Sequence, residues 1–109
     1  MILVRAFLII AAFTLTACAV RQVDGVVQGG REVFHGVSFR EIDGGGMVSI
    51  ASSRGTSCQG DFVYTAPHEG KGTFTCNDGR TGPFGFVATG RRGTGTGTIG
   101  GQPFVFRFS

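Results

Sequence analysis

From residue 58 onward, apolar and polar positions alternate with a period of two. Cys58, Gly60, Phe62 and Tyr64 hold every second place, with Gln59 and Asp61 between them. Gly70, Gly72, Phe74 and Cys76 follow, separated by Lys71, Thr73 and Thr75. The chain ends with Phe104, Phe106 and Phe108 on one side of the alternation and Val105 and Arg107 on the other. Successive side chains of a strand point to opposite faces, so this period predicts strands with one apolar and one polar face. No stretch after Ala19 carries a helical apolar period, and the abundance of Gly opposes helix. The pattern predicts an all-β fold.

The alternation is organised as a repeat. Cys58–Tyr64, a loop and Gly70–Cys76 match Gly82–Ala88, a loop and Gly93–Ile99. A weaker copy precedes them in Phe34–Arg40 and Gly44–Ile50. Each copy reads as a β-hairpin. In the middle copy the expected partners are Cys58 with Cys76, Gly60 with Phe74, Phe62 with Gly72 and Tyr64 with Gly70. In the last copy they are Gly82 with Ile99, Phe84 with Gly97, Phe86 with Gly95 and Ala88 with Gly93. In the first they are Phe34 with Ile50, Gly36 with Val48 and Ser38 with Gly46. One face thus sets a ring opposite a glycine repeatedly, and the ring shields the bare backbone. The other face carries Gln59, Asp61, Thr65, Thr73, Thr75, Thr94, Thr96 and Thr98, as a solvated face should. Asn77-Asp78-Gly79-Arg80-Thr81 and Gly100-Gly101 mark the turns between hairpins. The expected architecture is an antiparallel meander of about seven strands, from three hairpins and a final strand.

These hairpins resemble the MORN repeat, through Cys58-x-Gly60-x-Phe62, Gly70-x-Gly72-x-Phe74 and the turn at Asp78-Gly79. The resemblance covers roughly residues 34–109, and departs from the family where Cys58 and Gly82 replace the lead aromatic. It implies an open, curved single-layer sheet that acts as scaffold or contact surface and brings no catalytic residue. The alternative is a small closed β-barrel, since closure removes edge strands and Phe104, Phe106 and Phe108 at the chain's end would suit it.

The first twenty residues follow a different pattern. Arg5 is their only charge, and Ala6–Leu15 is apolar apart from Thr14. A short basic region followed by an apolar core of roughly ten residues is the layout of an export signal. Leu15-Thr16-Ala17-Cys18 resembles the bacterial lipobox. The resemblance implies cleavage before Cys18 and acylation of that residue, with Ala19 favouring the outer membrane. The expected organisation is a lipoprotein signal peptide over 1–17, a lipidated N-terminus and linker over 18–30, and a Gly-rich β-repeat domain over 31–109. The expected location is the cell envelope, at the periplasmic face of the outer membrane.

Composition sharpens this picture at two points. Past residue 17 the chain has 9 Lys and Arg against 7 Asp and Glu, a net +2 with scattered basic residues, so no nucleic-acid partner is expected. With Cys18 assigned to lipid, Cys58 and Cys76 remain as an even pair in an oxidising compartment, and they are expected to form a disulfide. Candidate chemistry is otherwise sparse. His35 and His68 have no accompanying nucleophile and read as surface residues. Asp61, Glu69 and Asp78 lack the spacing of a calcium loop. Gly93-Thr94-Gly95-Thr96-Gly97 leads into a strand and lacks a following Lys-Ser/Thr, so it is no phosphate loop. Arg91-Arg92 at a hairpin tip is a possible contact for lipid headgroups or another polyanion. No catalytic residue, metal or cofactor is expected.

The function expected is therefore a membrane-anchored, non-enzymatic envelope lipoprotein whose sheet contacts an unknown envelope protein. The alternative is a small-ligand or lipid carrier if the sheet closes, with an envelope enzyme or enzyme inhibitor a third reading.

Overall fold

The computed structural model describes residues 20–29, 31–40 and 44–109, so the segment expected to be an export signal, Cys18 and residues 41–43 lie outside the described residues. Eight antiparallel strands form a closed barrel in sequence order. They are β1 (Val20–Val27), β2 (Glu32–Arg40), β3 (Gly45–Ser52), β4 (Ser57–Ala66), β5 (Glu69–Cys76), β6 (Thr81–Thr89), β7 (Arg92–Ile99) and β8 (Gln102–Phe108).

The all-β meander is as the alternation predicts, but the sheet is closed and has eight strands. The open MORN-like sheet is replaced by the barrel. The eighth strand, β1, comes from the segment expected to be linker. It pairs with β2 on one side and β8 on the other, with Val23 opposite Phe108 and Val27 opposite Phe104. The physical reason lies in its own alternation. Val23 and Val27 point inward and are buried, while Gln22, Asp24 and Val26 point out. An open sheet would leave its whole aromatic face in water. Closure buries that face against itself and pairs both edges.

The registers of the middle and last hairpins are those read from sequence. Cys58 opposes Cys76, Phe62 opposes Gly72, Phe84 opposes Gly97 and Phe86 opposes Gly95. The first hairpin is shifted by two residues, with Phe34 opposite Ser52, Gly36 opposite Ile50 and Ser38 opposite Val48. A two-residue slip leaves every side chain on its face, so alternation alone cannot detect it. Arg40 is paired with Gly46, so the connection is two residues longer than the expected register allows, and Gly44, at φ 90°, leads into β3 at Gly45. Gly100 and Gly101, at φ 62° and 82°, make the two-residue β7–β8 turn of the kind that matches strand twist.

The interior divides into two halves. Around the β1–β2, β3–β4, β5–β6 and β7–β8 turns, Val27, Phe34, Phe74, Ile99 and Phe104 fill the lumen completely. Phe34 and Phe104 meet edge to face at 5.6 Å, and Phe74 and Phe104 at 5.5 Å. The Cys58–Cys76 disulfide joins β4 and β5 at this end, as expected from cysteine parity. The other end, where β1 begins, is open.

Candidate functional site

The open end exists because its inward side chains leave the axis unfilled. Here the barrel holds a cavity of about 180 Å³. Its floor and one wall are aromatic: Phe62, Phe84, Phe86, Phe106 and Phe108, with Tyr64 higher up. Phe86 is the hub, edge to face with Phe62 at 5.0 Å, Tyr64 at 5.8 Å and Phe108 at 5.7 Å. These rings are fixed by glycines on neighbouring strands. The Phe86 ring lies on Gly70, the Phe62 ring on Gly46, the Phe106 ring on Gly95 and the Phe108 ring on Gly93, so any Cβ at those glycines would collide with a ring. Each ring leans on the strand that precedes its own. The cover is thus real but shifted from expectation, since Gly72 lies under the Phe84 ring and Gly95 under the Phe106 ring.

The opposite wall is polar. Arg21 on β1 faces Ser38 on β2 across the pair, and Arg40 lies two residues beyond Ser38 on the same face. The Arg40 guanidinium sits 4.8 Å from the Tyr64 ring centroid, within cation–π range. Arg21 donates to the Arg91 carbonyl in the β6–β7 turn. Pro67 and His68, on the β4–β5 turn, complete the rim beside an irregularity in the ladder between Tyr64 and Ala66.

The closed end has its own polar device. Glu32 is 1% exposed and receives two bonds from Arg80, Nη1 to Oε1 at 2.8 Å and Nη2 to Oε2 at 3.1 Å. Arg80 Nε also donates to Asp78 Oδ2 at 2.8 Å. The Arg80 hydrogen bonds hold the Glu32 carboxyl below the usual glutamate range against the opposing effect of burial, with help from Ser52. This paired, buried carboxylate reads as a plug, and its polar atoms are satisfied rather than offered to a ligand.

The residues singled out from sequence are dispersed. Cys58 and Cys76 are bonded to each other at the closed end. Arg91 stands at the mouth, where it contributes its carbonyl, while Arg92 faces the outer wall. His35 is on the outside, 2.6 Å from the cross-strand Asp24. His68 is exposed at the rim. Cys18 lies outside the described residues. Among the described residues no three His, Cys, Asp or Glu side chains come together as a metal site would require.

Sequence reasoning missed Arg21, Ser38 and Arg40. Their signal was a polar residue at an inward place in strands whose other inward places are apolar; for Ser38 and Arg40 it was already present in the first hairpin, and for Arg21 it could be read only once β1 was recognised as a strand.

No family model matches the chain, and no curated protein matches it. Among the solved structures that share its fold are two barrels. One is a redesigned β-barrel, mFAP1, bound to DFHBI, with a TM-score of 0.69 at 10% identity, covering 84% of this chain and 93% of that one. The other is a de novo designed fluorescence-activating β-barrel, with a TM-score of 0.63 at 12% identity, covering 84% of this chain and 91% of that one. At these identities the likeness concerns the fold alone.

Proposed function

We propose that this protein is a non-enzymatic carrier that holds a small, largely apolar ligand in the open end of its barrel. The observation that carries the reading is the cavity itself: about 180 Å³, lined on one side by Phe and Tyr and continuous with the mouth. A barrel meant only as a scaffold gains nothing from an unfilled aromatic half, since empty apolar space costs packing energy. Ligand sites favour barrel mouths lined by aromatics with a few polar groups. The cavity is smaller than the ~300–1,000 Å³ typical of drug-sized ligands, so the ligand is small or only partly enclosed. That a barrel neighbour of this shape was solved with a small molecule bound is in keeping with the reading.

Cys18 is proposed as the lipidated anchor that keeps this carrier at the envelope membrane, on the strength of Leu15-Thr16-Ala17-Cys18. Cys18→Ser should then lose acyl-chain metabolic label, and label retained in the variant removes the anchor.

The carrier reading is tested with the neutral probe N-phenyl-1-naphthylamine. Its fluorescence should rise on binding and saturate at one probe per chain. Ala88 lines the cavity, and Ala88→Trp should fill the space and weaken the probe at least tenfold while the barrel stays folded. A wild-type protein that leaves the probe dark, or a filled variant that binds it equally well, overturns the proposal.

A further inference from the structure

The carrier reading leaves the ligand's chemistry open, and the polar wall of the mouth narrows it. Arg21, Ser38 and Arg40 share the inward face of β1 and β2 at the rim. Arg21 and Ser38 are direct cross-strand partners, and Ser38 and Arg40 are two apart on one strand. Direct cross-strand partners have Cβ atoms roughly 5 Å apart and same-face neighbours along a strand lie about 7 Å apart, so the three side chains converge on one small region.

Each of the three has capacity to spare. Neither Arg21 nor Arg40 has a carboxylate partner among the described residues. Arg21 spends one donor on the Arg91 carbonyl, which holds its guanidinium at the rim and leaves its other donors free. Arg40 is oriented by the Tyr64 ring, a contact that uses its face and not its N–H groups. Ser38 is 9% exposed, and its hydroxyl has no hydrogen-bond partner among the described residues. A buried hydroxyl without a partner costs free energy unless something else supplies the bond. The closed end shows the contrast, because there the cation Arg80 is matched by Glu32 and Asp78.

We infer that the ligand is a single-chain amphiphile with a carboxylate head: its apolar body lies against Phe62, Phe86 and Phe108, and its carboxylate is held by Arg21, Arg40 and Ser38. This rests on the carrier reading and names the class of its ligand. Two guanidiniums and one hydroxyl present planar forks and a single donor, which match the two oxygens of a carboxylate. The amphiphile enters body first. A cavity this small encloses only part of a chain, and the charged head is then left at the rim, where water still reaches it.

The experiment displaces N-phenyl-1-naphthylamine from the full chain with decanoate and, separately, with decanol, which differ only in the head. Decanoate should displace the probe at least about tenfold more effectively, as charge-assisted hydrogen bonds imply. In Arg40→Gln that advantage should shrink severalfold, while decanol is unchanged. Arg40→Lys should restore part of it, and raised salt should erode it for the wild type. Arg21→Gln serves as a second variant, scored only after its unfolding midpoint is measured, because Arg21 also ties β1 to the β6–β7 turn. Equal displacement by decanoate and decanol overturns this inference and leaves the carrier reading standing. A probe that never binds removes the carrier reading itself, so the two failures are distinguishable.

Discussion

Phe106 sits between two glycines, Gly95 on β7 and Gly25 on β1, and its ring rests on Gly95. The same lean recurs where Phe62 rests on Gly46 and Phe86 on Gly70. Glycine here is a receptor for a ring and not merely a flexible residue. The contact offsets glycine's weak strand propensity, and it makes the side-chain-free position specific. Gly95→Val should therefore destabilise the barrel by about 1–3 kcal/mol or more, because the new side chain would enter the space of the Phe106 ring. Thr96→Ala, one residue on and facing water, should cost under about 1 kcal/mol. Phe74→Ala, at 0% exposure in the filled half, should cost close to 5 kcal/mol. Phe86→Ala should cost nearer 3, since the ring already borders empty space. Denaturant unfolding of the four variants checks the ranking. If Phe86→Ala proves costlier than Phe74→Ala, the open half is better packed than its cavity indicates.

The β5–β6 turn and the start of β2 form a latch at the closed end, and its behaviour with pH follows from the Glu32–Arg80 pair. Arg80 lowers the Glu32 pKa. A carboxyl whose folded-state pKa lies below its unfolded value stabilises the fold fully above the unfolded value, about 4.3, and loses that contribution as pH falls through the folded pKa. The wild-type unfolding midpoint should drop on acidification below about pH 4.3. Glu32→Gln should flatten that part of the profile. Arg80→Met should cost about 3 kcal/mol at neutral pH by leaving a buried carboxylate unpaired, discounted within the usual range because Arg80 is partly in water. An unchanged acid limb in Glu32→Gln would show that another carboxyl drives it. The nearby disulfide, closing an 18-residue span, should add roughly 3 kcal/mol that reductant removes. Much at this scale was legible beforehand. The hairpins around Cys58–Cys76 and Phe86–Gly95 declared their registers through paired Phe and Gly. Phe34–Ile50 did not, because a two-residue slip preserves the facing of every side chain. The Glu32–Arg80 latch was invisible in the sequence, since its partners stand 48 positions apart and meet only through barrel closure.

The decision between an open sheet and a closed barrel lies in β1. Read alone, Val20–Val27 is too mixed to stand out: Arg21 and Gly25 interrupt its inward face, and it has no hairpin partner of the repeat's Phe–Gly kind. It becomes a strand because β2 and β8 each present an unpaired edge. Gln22 and Ser109 exchange backbone hydrogen bonds at 3.0 and 3.1 Å across the closing seam. The candidate site was partly hidden for the same reason, because Arg21, one of the three polar-wall side chains, belongs to this strand. The consequence is testable by comparing residues 20–109 with residues 31–109, the boundary at which the repeat pattern places the domain. Removing β1 uncovers two edge strands, takes away buried Val23 and Val27, and exposes the Phe106 and Phe108 flank that β1 covers. Long unprotected edges with apolar faces pair with other chains. The 31–109 chain should fail to give a cooperative unfolding transition as a monomer, and should aggregate or associate through its exposed edges in size-exclusion chromatography. The 20–109 chain should be monomeric and unfold in one step. A monomeric, cooperatively folded 31–109 would restore the open repeat sheet and remove the cavity. With the cavity would go the aromatic floor, the polar wall and the carrier function argued from them, because each depends on β1 completing the ring.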